Sequence, residues 1–218
     1  MGKFNGSAGG VLKNRMRQNT IKNICVYCGS GRGAKPIYTE AARLLGRSMA
    51  EQGIGLVYGG ASVGLMGEIA RATLESGGQV TGIRPPNLPA HEVPLAEVQE
   101  YIEVGTLHER KMLMFERADA FVALPGGVGT LEELVEQITW AQLGHHSKPV
   151  LIANIDDYWN PLLRMFEQMR ELGFISSSLN INVHVADRAE DIIPMLQQTA
   201  FSPGGDNAGI NGAAMRGI

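Results

Sequence analysis

The chain has 218 residues, 44% of them hydrophobic and 19% charged, which is long and apolar enough for one α/β domain with a sizeable core. Nineteen basic against twenty-two acidic residues leave a formal charge of -3, so there is no general attraction for nucleic acid or an anionic membrane and any phosphate must be held locally. No run approaches the roughly twenty apolar residues that span a bilayer, and the N-terminus lacks the apolar core of a secretory signal; a cytoplasmic protein is expected, with neither nucleic acid nor membrane as partner.

Residues 1–20 are glycine-rich and basic without sustained periodicity, and read as a disordered leader or an expression remnant. Residues 200–218, rich in glycine and asparagine, read as a disordered tail. Between them, a single domain over 21–199 alternates strand-like and helix-like segments. Strands are expected at 21–27, 54–58, 80–83, 98–104, 119–124, 149–153 and 183–185. Helices are expected at 36–52, stopped by Gly53, at about 66–76, at about 107–117, from the 124–133 turn to about 143, at 162–172, and after Asp187. This alternation is the pattern of a doubly wound, mostly parallel sheet with helices on both faces, in which a ligand lies outside the carboxyl ends of the strands.

The residues just after each strand are therefore the informative ones. After the first come Cys28, Gly29, Ser30, Gly31 and Gly33, and after the second Gly59, Gly60, Ala61, Ser62, Gly64 and Gly67. Each is a glycine-rich turn that alone says little, because glycine is the usual way to turn a chain. The third is Leu124-Pro125-Gly126-Gly127-Val128-Gly129-Thr130-Leu131-Glu132-Glu133, with Leu134, Val135, Ile138 and Leu143 following at helical spacing. Three glycines let the backbone approach a ligand while the first amides of a helix point outward, which is a site for an anion, most often phosphate. Glu133 follows by one turn, and a carboxylate there suits a ligand carrying both an anion and a developing positive charge. A plainer reading of the same residues is a capping box, Thr130 and Glu133 satisfying each other's amides at a helix start.

A second capping-box pattern, Thr106 with Glu109, opens the helix carrying Arg110 and Lys111. An adjacent basic pair is often a solvated face, but this helix leads directly into the strand that ends at the central turn. Placed at that crevice, Arg110 can hold a carboxylate or phosphate in a fork. His145 and His146 fall at a helix end, where capping of the carbonyls explains them, and no metal triad can be assembled around them. Cys25 and Cys28 are spaced C-x-x-C, but they lie along and at the end of a strand and no second pair exists for zinc, so neither metal nor redox chemistry is expected. Glu92, in the proline-bounded loop 85–94, is of interest because loops at strand ends carry function.

Together these blocks resemble the LONELY GUY (LOG) family of cytokinin riboside 5'-monophosphate phosphoribohydrolases, a family also labelled lysine decarboxylase. Residues 125–133 fit P-G-G-x-G-T-x-x-E, 108–111 fit the M-H-x-R-K region, and 59–67 resemble G-G-G-x-x-G-L-M-G. The likeness covers about 21–199. Leu107, Ala61 and Val128 stand where methionine, a third glycine and often tyrosine occur, and Arg84-Pro85-Pro86 where isoleucine-proline-lysine is common. The resemblance implies a modified Rossmann fold and a homodimer with the site near the subunit boundary. It also implies hydrolysis of the N-glycosidic bond of a purine nucleoside 5'-monophosphate, releasing base and ribose 5-phosphate, with no cofactor. By the same resemblance Arg110 and Glu133 are catalytic, and the nucleotide is bound by Glu92, Arg110, Lys111, Gly127, Val128, Gly129, Thr130, Leu131, Glu132, Glu133 and Thr139, with Gly29, Ser30, Gly59 and Gly60 as further contacts.

The chemistry agrees with that assignment: cleaving a ribosyl C–N bond builds positive charge on the sugar, which Glu133 can stabilise or meet with an activated water. The amides of Gly127, Gly129 and Thr130 would hold the phosphate, and Arg110 would orient Glu133 and keep it ionised. AMP as the main substrate, or a nucleotide-binding carrier without catalysis, are the alternatives. No segment argues for a pyridoxal-binding lysine, and Lys111 is expected near the phosphate.

Overall fold

Side chains alternate across a strand, and here each alternate set meets its own layer of helices. In β1 (Asn23–Tyr27) Ile24 and Val26 enter one core cluster while Cys25 and Tyr27 enter the other. In β5 (Ala120–Ala123) Ala120 and Val122 share the first cluster and Phe121 and Ala123 the second. The computed structural model from which this is read describes residues 21–85, 95–175 and 183–201. The expected leader, nearly all of the expected tail and Glu92 lie outside the described residues.

The remaining strands are β2 (Gly55–Tyr58), β3 (Val80–Arg84), β4 (Glu100–Glu103), β6 (Val150–Ala153) and β7 (Val183–Ala186). The helices are α1 (Pro36–Glu51), α2 (Gly64–Glu75), α3 (Leu107–Arg117), α4 (Val128–Gln142), α5 (Asn160–Glu171) and α6 (Ile192–Phe201). Among the described residues the seven strands pair in parallel, in the order β4-β3-β2-β1-β5-β6-β7. Residues of α1, α2 and α6 pack in the first cluster, and those of α3, α4 and α5 in the second. This is the α/β, Rossmann-like architecture that the alternation of segments implies. Among the described residues no helix is long and apolar enough to cross a membrane.

The element bounds follow local chemistry. α1 opens with Pro36, whose missing N–H has no helical partner to lose, and its end is followed by Gly53 at φ 67°. β4 is shorter than the expected 98–104 because Val98 donates to Leu95 O at 3.3 Å in a turn instead of joining the sheet. α6 runs past Thr199 to Phe201.

The chain steps outward from β1 to β4, then returns through α3 to the far side of β1. The strand order reverses between β1 and β5, and the carboxyl ends of these neighbours diverge into a crevice.

Candidate active site

The crevice is a cavity of about 300 Å³ at that switch point. One wall is the turn between β5 and α4. Gly127 is the N-cap of α4, and the first amide in the helix to find a carbonyl is Leu131, which donates to Gly127 O at 3.0 Å. The N–H groups of Val128, Gly129 and Thr130 are therefore left without a helical partner, and all three residues line the cavity with Gly127. The capping box considered for Thr130 and Glu133 does not form. The N-cap is Gly127, three residues earlier, and Thr130 packs under the turn so closely that a Cβ on Gly126 would sit 2.1 Å from its Oγ1. The box at Thr106 and Glu109 does form, with Glu109 N–H donating to Thr106 Oγ1 at 3.1 Å and Thr106 N–H to Glu109 Oε2 at 3.2 Å.

That capped first turn fixes Arg110, which crosses to the crevice. Its Nε donates to Ile83 O at 3.1 Å and its Nη1 to Glu133 Oε1 at 2.9 Å. A Cβ at Gly59 would meet Arg110 Nη2 at 2.3 Å, so the bare glycine after β2 is the opening through which the guanidinium passes. Ser30, Gly59, Arg110 and Glu133 share the cavity wall with the apolar Val26, Tyr27, Cys28, Met66 and Met114. The arrangement joins a row of free amides, a buried acid-base pair and an apolar surface.

Burial sets the electrostatics. Glu133 is only 8% exposed, and desolvation pushes its carboxyl above the usual glutamate value; Arg110 and Lys111 pull it down, and Glu132 pushes it up. Arg110 thus hydrogen-bonds Glu133 and favours its ionised form, as the sequence suggested, while the loss of water outweighs that one guanidinium and leaves the pKa above the ordinary value. Burial also raises the thiols of Cys25 and Cys28, which are free. Among the described residues no group of three His, Cys, Asp or Glu is placed to hold a metal.

Other candidates lie elsewhere. Lys111 Nζ sits between Glu132 Oε1 at 2.6 Å and Glu136 Oε1 at 2.9 Å, tying α3 to α4 outside the cavity wall. Thr139 is exposed and donates to Val135 O at 2.7 Å. Leu131 packs against the second core cluster. Gly29 N–H donates to Pro125 O at 3.1 Å, and Gly60 is held at φ 79° against Ile83 and Arg84. Ala61, at the third glycine position of the motif, is fully buried. His146 does bond a carbonyl, that of Gln137 at 3.1 Å, but burial lowers its pKa and Nδ1 accepts from Lys148 N–H, so it acts as a neutral imidazole rather than a dipole-capping cation.

The sequence reading missed Tyr158, whose hydroxyl donates to Gly126 O inside the central turn. The rule that singled out the residues after β1, β2 and β5 would have pointed to it, since it follows β6. It also missed Met66 and Met114, which read as ordinary core.

Residues 66–196 match a protein-family model described as "Possible lysine decarboxylase". No lysine lines the cavity among the described residues, so a Schiff-base partner is not found there. The chain is 45% identical over 181 residues to the cytokinin riboside 5'-monophosphate phosphoribohydrolase LOG7 of Arabidopsis thaliana, covering 83% of each chain. It is 44% identical over 182 residues to the phosphoribohydrolase LOG of Oryza sativa subsp. japonica, covering 84% of this chain and 75% of that one. Among solved structures, the molybdenum cofactor binding protein of Rippkaea orientalis superposes with a TM-score of 0.61 at 26% identity, over 81% of this chain and 95% of that one, a likeness of fold. With the glycine turn, the R-K helix and the crevice in the positions that the sequence blocks implied, and with nearly half the residues shared along most of its length, the chain belongs to the LOG family of cytokinin riboside 5'-monophosphate phosphoribohydrolases.

Proposed function

We propose that the protein hydrolyses the N-glycosidic bond of N6-modified, cytokinin-type adenosine 5'-monophosphates to the free base and ribose 5-phosphate. The observation that carries this is the Arg110–Glu133 pair: a carboxylate 8% exposed, 2.9 Å from a guanidinium, one turn beyond the amides that would hold a phosphate. A binder of phosphate alone has no use for a buried negative charge at that distance, which argues against the carrier reading. The activity printed for the relatives that share this chain's blocks supports the same conclusion.

The 5'-phosphate accepts from the amides of Gly127, Val128, Gly129 and Thr130, which line the cavity. The ribose then lies toward Glu133, and the base against Tyr27, Met66 and Met114. As the C1'–N9 bond breaks, its electron pair goes to the base, which takes up a proton from solvent, and positive charge appears on the sugar ring. Glu133 stabilises that charge and is placed to take a proton from the water whose oxygen bonds to C1'. A carboxylate raised above the usual value is the better base, provided it is ionised, and Arg110 favours the ionised form. Arg110 and Glu133 are thus the catalytic pair. Glu92, outside the described residues, is retained as a candidate contact through the family resemblance.

The protein acts as a cytoplasmic homodimer in this reading, and the exposed Val128 on the cavity wall supports a subunit boundary near the site. Light scattering tests the dimer. The activity is tested by incubating purified protein with isopentenyladenosine monophosphate and with AMP and following free base by liquid chromatography. Release of isopentenyladenine from the first is the expected result. Faster release of adenine makes AMP the main substrate, and release of neither base overturns the proposal.

A further inference from the structure

Beyond β6 the chain adopts a conformation that no regular element demands. Asp156 and Asp157 both lie in the left-handed region, at φ 54° and 59°, which is uncommon for side-chain-bearing residues though Asp tolerates it better than most, and here the surroundings brace it. Those surroundings are visible. Asn154, 4% exposed, accepts from Trp159 N–H at 2.8 Å and donates to Asn160 Oδ1 at 3.0 Å and Asp187 Oδ1 at 3.2 Å. Lys35 Nζ pairs with Asp156 Oδ2, and Tyr38 donates to the same oxygen at 3.3 Å. What this braced loop delivers is Tyr158, set edge-on to Tyr38 and Trp159, with its hydroxyl donating to Gly126 O.

A peptide is planar and trans, so drawing the Gly126 carbonyl toward Tyr158 turns the Gly127 N–H to the opposite side. The preceding carbonyl, Pro125 O, is held in the same manner by Gly29 N–H at 3.1 Å. Two successive carbonyls are tied back, and Gly127 lies in the cavity wall that Tyr158 itself does not reach. Accepting a hydrogen bond also polarises the peptide and makes its N–H the stronger donor.

We propose that Tyr158 is a positioning residue for phosphate recognition, holding the Gly126–Gly127 peptide so that the turn presents its amides to the 5'-phosphate; this rests on the nucleotide site proposed above. The residue acts through the turn and does not touch the reacting bond, so its loss falls on ligands that carry phosphate.

The test is Tyr158→Phe, which keeps the ring and its packing and removes one hydroxyl. Ribose 5-phosphate and adenine are titrated calorimetrically into wild type and variant, and KM and kcat are measured on the nucleotide. Affinity for ribose 5-phosphate and 1/KM fall about 5- to 10-fold, the range set by one lost hydrogen bond, while kcat stays within about twofold and adenine binds unchanged. Equal weakening of both ligands, or of neither, overturns the proposal, as does a wild-type protein with no affinity for ribose 5-phosphate. A wild type that binds ribose 5-phosphate but cleaves no nucleotide refutes the hydrolase reading and leaves the Tyr158 comparison intact. Were the phenylalanine variant to melt early, Lys35→Met, which cuts an exposed brace on Asp156, carries the test: a phosphate-selective loss of about twofold or more supports the role and none overturns it.

Discussion

Replacing Glu133 with glutamine isolates charge from shape. The amide oxygen still accepts from Arg110 Nη1, where Oε1 now lies at 2.9 Å, so the side chain keeps its place and the fold its packing. What disappears is the negative charge that the proposed mechanism sets against the anomeric carbon. The side chain is 11% exposed, so solvent screens it little. A carboxylate about 4 Å from a unit positive charge contributes roughly 4 kcal/mol at an effective dielectric of about 20. An oxocarbenium-like sugar carries only part of a unit charge, and about two thirds of one leaves ~2.7 kcal/mol, which corresponds to about a hundredfold in rate. The loss belongs to the transition state, so kcat falls by that factor while KM moves less than about threefold. Chromatographic measurement of free base from isopentenyladenosine monophosphate gives both constants. A variant with kcat within about threefold of wild type, or one whose loss lies wholly in KM, would refute the reasoning.

The pH profile offers an independent check, because Glu133 must lose its proton before it acts and its raised pKa places the acid limb of kcat/KM above the ordinary glutamate value of 4.5. Glu132 raises that pKa and Lys111 lowers it, so Glu132→Gln moves the limb to lower pH and Lys111→Met to higher pH; shifts of the same sign in both variants contradict the assignment. Gly126→Ala forces a methyl group to 2.1 Å from Thr130 Oγ1 and 2.9 Å from Gly29 N, and calorimetry should show at least about tenfold weaker ribose 5-phosphate binding with a lowered Tm. Gly129→Ala meets nothing within 4 Å, so the gain in helix propensity, up to about 1 kcal/mol, raises Tm by about 2–4 °C while the new methyl at the phosphate turn raises KM. Thr106→Ala removes the N-cap of α3 and costs about 1 kcal/mol, read as a Tm lower by about 2–4 °C.

Much of the fold was legible because its signals are local. Each apolar run bounded by glycine became a strand, and α1 begins and ends where Pro36 and Gly53 require. The start of α4 was harder, since glycine and threonine are both good N-caps and only packing decides between Gly127 and Thr130. In the structure Thr130 is 4% exposed beneath the turn, which no local pattern encodes. Lys111 was legible in part. Neighbours on a helix point about 100° apart, so once Arg110 faces the crevice Lys111 must face elsewhere, and Glu132 and Glu136 on α4 receive it. The same rotation sets Glu132 outside the cavity while Glu133 lines it.

What the sequence could not show is how deeply Glu133 is buried, and that changes its chemistry. Reading charges alone, a neighbouring arginine should depress the pKa; with water removed, the desolvation cost exceeds that attraction and the direction reverses. The reversal matters because the same loss of water has two effects. It makes the carboxylate a stronger base, and it leaves the field at the sugar less screened than at the surface. Either effect is wasted if the group takes up a proton and becomes neutral, and Arg110 opposes that outcome by favouring the charged form from 2.9 Å away. The guanidinium therefore works less as a clamp on phosphate than as the counter-charge that lets a buried acid remain an anion. In the proposed mechanism Gly59, whose missing side chain makes room for the guanidinium, matters as much as the glycines of the turn.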